Sequence, residues 1–145
     1  MSILNLMNEI KPNYIVGIPG SEIKEFFSQE TPAIIPSRED EALAIASGLE
    51  LNNYKTLVAI QSSGAGNIIN ALASFVLAYD IPLNILISLR GGENEENEAQ
   101  KILGSSLLTI LKSLEVNCIT LNDSGDVIEQ DIRHKYKTTI FIYKV

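Results

Sequence analysis

Short apolar runs rich in branched residues alternate along this chain with segments in which apolar positions recur at helical spacing. The runs at 14–18, 33–36, 56–61, 83–89, 116–121 and 139–143 predict strands. Helices are predicted between them at 22–28, 38–52, 66–78, 96–113 and 126–136, after an opening helix near 3–10. Leu57-Val58-Ala59-Ile60 and Leu83-Asn84-Ile85-Leu86-Ile87 lack polar alternation, so their strands should be central and covered on both faces. This order predicts an α/β fold, a three-layer α/β/α domain around a mainly parallel sheet of about six strands. Ligands of such sheets bind beyond the carboxyl ends of the strands. Four turns gather there: Gly17 to Ser21, Ser37 to Glu41, Gln61 to Asn67 and Arg90 to Gln100.

With 145 residues and 46% hydrophobic content, the chain suits one domain with one continuous core, spanning 1–145. Its 11 Lys and Arg against 18 Asp and Glu give a net charge of -7, which opposes attraction to nucleic acids or anionic membranes. An anionic ligand must then be held by local donors. No apolar run approaches the ~20 residues that span a bilayer, and the first residues lack a basic flank and cleavage site. A cytoplasmic location is expected. Cys118 stands alone in Val116-Asn117-Cys118-Ile119-Thr120-Leu121, which reads as a buried structural thiol and leaves no disulfide or zinc cluster. His134, also alone, sits at the end of the predicted 126–136 helix, where a cation suits the dipole, so neither a catalytic triad nor a metal site is expected.

The chemistry concentrates in the turns. In Ser37-Arg38-Glu39-Asp40-Glu41, Ser37 can cap a helix with Asp40 three residues on, so capping explains the cluster as well as catalysis does. Capping does not explain the small residues that follow, Ala42, Ala44, Ala46, Ser47 and Gly48, which suit a second subunit or a flat cofactor. Gln61-Ser62-Ser63-Gly64-Ala65-Gly66-Asn67 permits close approach of a ligand, or is simply a tight strand-to-helix turn. It is not a dinucleotide fingerprint, because Ile69 stands where Gly or Ala would complete it. Gly17-Ile18-Pro19-Gly20-Ser21 makes a rigid turn with Ser21 as an expected N-cap. Arg90, at a strand end before Gly91-Gly92, can grip an anion with two prongs or be solvated. The acidic stretch from Glu93 to Glu98 reads as a solvated loop entering a helix.

Taken together, these segments, with Ile81-Pro82-Leu83 through Ser88-Leu89-Arg90-Gly91, resemble the pyrimidine-binding domain of thiamine diphosphate enzymes, in the group of sulfopyruvate and phosphonopyruvate decarboxylases. The resemblance runs from Gly17 to Gly104. It implies that Glu39, nine residues before Gly48, is catalytic and shares a proton with the aminopyrimidine ring, favouring the imino tautomer that removes the thiazolium C2 proton. It further implies that Gly17, Pro19, Gln61, Ser63, Gly64 and Asn67 meet the cofactor. Ser21, Ser62, Asn67, Arg90, Gln100 and Lys101 would line the substrate, a 2-oxo acid with an anionic tail.

The chain departs from that group in three places. A loop histidine is missing, with Gln100 or Lys101 near its position, and Ser62 replaces a common asparagine. Ser124-Gly125-Asp126-Val127 is not the Gly-Asp-Gly motif that holds magnesium and diphosphate. The resemblance therefore implies an alpha subunit whose beta partner carries the diphosphate-binding domain and the magnesium, in a hetero-oligomer with alpha-alpha contacts. The implied reaction is decarboxylation of 3-sulfopyruvate to sulfoacetaldehyde, toward coenzyme M. Alternatives are phosphonopyruvate decarboxylation, a module that has lost turnover, and a nucleotide-binding or receiver-like domain. For a receiver, Gln61 occupies the place of the expected aspartate.

Overall fold

The computed structural model describes residues 4–91 and 95–145; residues 1–3, including the first position of the predicted opening helix, and 92–94, including the start of the acidic stretch, lie outside the described residues. The first half runs α1 (Asn5–Ile10), β1 (Tyr14–Gly17), a 3-10 helix (Lys24–Ser28), β2 (Ala33–Ile34), α2 (Glu39–Leu51) and β3 (Thr56–Gln61). The second runs α3 (Ser62–Ala71), a π-helical stretch (Leu72–Leu77), β4 (Asn84–Leu89), α4 (Glu98–Ser113), β5 (Asn117–Leu121), β6 (Val127–Asp131) and β7 (Thr139–Lys144).

The strands form one sheet in the order β2-β1-β3-β4-β7-β5-β6, parallel throughout except for β6 against β5. Because successive strand residues point to opposite faces, the runs feed two cores. Val16, Val58, Ile60, Ile85, Ile87, Ile140 and Ile142 pack on the side of α2, α3 and α4. Ile15, Leu57, Ala59 and Leu86 pack on the other side with Leu6, Ile10, Ile23 and Phe26. The fold is therefore α/β with helices on both faces, and β3 and β4 are central as their unbroken apolar runs predict. After β1 the chain passes to β2 and returns through α2 to β3, on the opposite side of β1. The connections thus diverge between β1 and β3, the kind of switch point where a crevice opens at the carboxyl edge.

One predicted element is overturned. The 126–136 helix is instead the antiparallel edge strand β6 followed by a loop, which raises the strands from about six to seven. Ile128, Ile132 and Tyr136 have helical spacing, but a tight turn prevails. Asn122 Oδ1 accepts from Ser124 N at 3.0 Å and Asp126 N at 2.8 Å, and Gly125 takes φ +80°. Buried Asn117 then holds the returning loop: Oδ1 accepts from Arg133 N and His134 N, and Nδ2 donates to Tyr136 O and Thr138 O. His134 accordingly lies in this loop at φ +56° and not at a helix end.

Boundaries shift elsewhere. The 22–28 helix shortens to a 3-10 turn, whose threefold period lets Ile23 and Phe26 enter the core together. Strand 33–36 stops at Ile34 ahead of Pro36, which has no N–H to donate. The 66–78 helix begins at Ser62, so Ser62 to Gly66 lie within its first turns, and it widens to π-helix from Leu72. Helix 96–113 starts at Glu98, with Asn97 as a side-chain cap on Ala99 N.

Candidate functional site

Two glycines shape the carboxyl edge between β1 and β3. A Cβ on Gly17 would fall 2.8 Å from the Ala59 carbonyl carbon and closer still to its oxygen, so only glycine lets the two backbones approach. A Cβ on Gly20 would overlap the Gln61 side chain, which lies across this turn. Ser63 Oγ is 3.5 Å from Gln61 Oε1. Pro19 and Ser21 are exposed beside them. Ser21 caps no helix, because the 3-10 helix starts only at Lys24; its hydroxyl donates to Glu22 Oε1 at 2.6 Å.

The first turn of α2 presents three carboxylates, and their partners separate them. Glu41 Oε2 accepts from Ser37 N at 3.0 Å and Arg38 N at 3.1 Å, capping the helix. The capping acid is thus Glu41 and not Asp40, because α2 starts one residue later than predicted. Asp40 pairs with the Arg38 guanidinium at 3.0 Å, which holds its carboxyl below the usual carboxylate range. Glu39 alone turns to α3, where its Oε2 accepts from Asn67 Nδ2 at 2.8 Å. Gly64, three residues before Asn67 and so on the same helical face, completes the seat. A Cβ there would fall 2.7 Å from Glu39 Cγ and closer to its carboxylate. Glu39, Gly64 and Asn67 are therefore one constellation, a carboxyl held by a single amide in a cradle that any side chain would fill.

The small residues that follow Glu39 divide by face. Ala42, Ala46 and Ser47 are buried, whereas Ala44 is exposed and a Cβ on Gly48 would meet nothing within 4 Å.

A second cluster lies at the end of β4. Ser62 Oγ donates to Gln100 Oε1 at 3.2 Å and accepts from Arg90 N at 3.2 Å, and both Ser62 and Gln100 are buried. Gly104 of α4 abuts Gly91, where a Cβ would fall 2.9 Å from Gly91 Cα. These contacts pin α4 to the start of α3, so Ser62 and Gln100 face each other and not open space. Lys101 pairs with Glu98 at 2.6 Å. Arg90 follows β4 as expected, but its guanidinium already has acids around it. Nε and Nη2 donate to Glu95 at 3.2 and 2.9 Å, and Nη1 lies 3.7 Å from Glu22 Oε1. The sequence reading missed Glu22, whose only signal was its place directly after Ser21.

Cys118 is buried as predicted, and burial pushes its thiol up to about 11. Among the described residues no group of three or more His, Cys, Asp or Glu side chains could hold a metal ion, and no helix is long and apolar enough to cross a membrane.

No protein-family model matches the chain. Curated relatives do. The sulfopyruvate decarboxylase subunit alpha of Methanocaldococcus jannaschii is 32% identical over 121 residues, which cover 80% of this chain and 72% of that protein. The subunit of the same name from Methanothermobacter thermautotrophicus is 39% identical over 80 residues, 55% of this chain and 48% of that protein. The sulfopyruvate decarboxylase of Methanosarcina acetivorans is 36% identical over 113 residues, 76% of this chain and 29% of that protein. The chain thus spans about half of the second relative's length and under a third of the third's. With aligned sequence over most of its length, the chain belongs to the sulfopyruvate decarboxylase alpha-subunit family.

Proposed function

We propose that this chain is the alpha subunit of a thiamine diphosphate-dependent 2-oxo acid decarboxylase that converts 3-sulfopyruvate to sulfoacetaldehyde and carbon dioxide. The observation that carries the reading is the Glu39 seat: one carboxyl of three is turned from helix capping toward Asn67 and fits against Gly64. That donor set suits an aminopyrimidine, whose ring nitrogen can exchange a proton with a carboxyl. When bound, the cofactor supplies the electron sink for loss of carbon dioxide. Glu39 holds and moves the proton at the ring nitrogen, Asn67 fixes the carboxyl's orientation, and Gly64 keeps the seat open. Gly17, Pro19, Gln61 and Ser63, on the neighbouring turns of the same sheet edge, would meet the rest of the ring.

The Glu39 seat addresses the pyrimidine half of the cofactor. The diphosphate and magnesium then belong to a beta subunit, an arrangement supported by relatives named as alpha subunits. The exposed small positions Ala44 and Gly48 suit a second alpha chain. Arg90 receives the anionic tail of the substrate, and Ser21, Asn67 and Lys101 border its path. Ser62 and Gln100 support Arg90 from behind. Cytoplasmic location and a place on the route to coenzyme M follow from this reading.

The test is carbon dioxide release by the chain co-expressed with its partner. Glu39→Gln should remove nearly all of it, and retained activity would count decisively against the mechanism. A second reading, a module without turnover, is favoured by Gln100, whose side chain is engaged with Ser62 near the place where the family resemblance implies a histidine. A wild-type complex that binds cofactor yet leaves every 2-oxo acid intact would establish it.

A further inference from the structure

Arg90 stands at the mouth of a pocket of about 440 Å³ lined by Glu22, Arg90, Glu95, Glu96 and Val145. Glu95 occupies the Nε side of the guanidinium with two hydrogen bonds, and is itself held by the backbone N–H of Asn97. That leaves the Nη1 side for a ligand, and Glu22 faces it at 3.7 Å. Glu22 is fixed there: its Oε1 takes the Ser21 hydroxyl, and its Oε2 is buried with no hydrogen-bond partner among the described residues. Glu95 and Glu22 flank the guanidinium and Glu96 also lines the pocket, so its lining side chains carry more negative than positive charge.

From this arrangement, and resting on the assignment of the substrate's tail to Arg90, we propose that Glu22 is a specificity-determining residue that admits a monoanionic sulfonate and disfavours a dianionic phosphonate. A sulfonate carries one charge at any physiological pH. The second ionisation of an alkyl phosphonate lies roughly one to two units above the ~6 of a phosphate ester, so at pH 8 most of its molecules carry two. Both tails gain charge-assisted hydrogen bonds from Arg90. The second charge, however, meets a surround in which the carboxylates outnumber the cation. At about 6 Å in a partly solvated pocket, one extra pair of like charges lowers binding about tenfold.

The experiment uses the cofactor-loaded complex with its partner at pH 8. In wild type and Glu22→Gln, kcat/KM is measured for 3-sulfopyruvate and 3-phosphonopyruvate, and calorimetry gives Kd for the unreactive 3-sulfopropanoate and 3-phosphonopropanoate. Glu22→Gln should shift both ratios about tenfold toward the phosphonate. Arg90→Ala is run in parallel and should raise KM for the sulfonate. An unchanged KM there overturns the tail assignment and this inference with it. A clear Arg90 effect alongside ratios within twofold of wild type in Glu22→Gln overturns the Glu22 inference alone.

Discussion

Gly64→Ala separates the site from the fold. The added methyl would lie 2.7 Å from Glu39 Cγ and closer to its carboxylate, well inside the ~3.5–4.0 Å of ordinary carbon contact. What it meets is the end of a flexible side chain, so Glu39 swings aside and the bond to Asn67 is lost. Gly64 lies within α3, where alanine is favoured over glycine by about 0.5–1 kcal/mol. A hydrogen bond to a charged group contributes about 1.5–3 kcal/mol when buried, and less here because Asn67 reaches water. The two effects nearly offset, leaving stability within about 1 kcal/mol of wild type and Tm within about 4 °C. Decarboxylation should fall about 10²- to 10⁴-fold, the usual contribution of a positioned proton-transfer group. Urea unfolding of the chain and carbon dioxide release by the complex read the two quantities. Activity within tenfold of wild type would refute the seat. A loss of stability beyond about 3 kcal/mol would show that the methyl presses on backbone instead.

Three further outcomes follow from the same geometry. Gly17→Ala should behave in the opposite way to Gly64→Ala, because its methyl meets the Ala59 backbone; urea unfolding should show a loss of about 2–4 kcal/mol. Asn117→Ala leaves Arg133 N, His134 N, Tyr136 O and Thr138 O without their side-chain partner, and at least ~3 kcal/mol of stability should disappear in the same assay. The Cys118 thiol is raised by burial from 9.0 to about 11, so the unfolded chain loses its proton first as pH rises. Its stabilising contribution is whole below pH 9 and should be lost between pH 9 and about 11, an effect of up to ~2.7 kcal/mol that is absent in Cys118→Ala.

The central strands were legible because burial on both faces leaves an unbroken apolar run, and 56–61 matches β3 residue for residue. Edge elements were not. β6 is largely exposed, so no core face disciplines its pattern, and Ile128, Ile132 and Tyr136 have helical spacing by coincidence. What decides that segment is a turn at Asn122 and Gly125 together with the Asn117 side chain reaching in from β5. The start of α3 was misplaced for a related reason: two glycines look like a turn until a carboxylate from another helix is seen to need the space.

The sequence by itself determined the α/β class, the mainly parallel sheet and the convergence of glycine-bearing segments at its carboxyl edge, because hydrophobic period and chain direction are local properties. It also carried the family likeness, through the order of four segments. The resemblance singles out Glu39 by its distance from Gly48, but only the tertiary structure shows how three adjacent acids of nearly equal local chemistry come to differ. Asp40 and Glu41 find their partners locally, in Arg38 and the helix cap, whereas Glu39 meets Asn67 and Gly64 on another helix, contacts that no spacing along the chain encodes. The same holds for Arg90, which reads as a free cation in sequence and in the folded chain sits between Glu95 and Glu22, the latter 68 residues away.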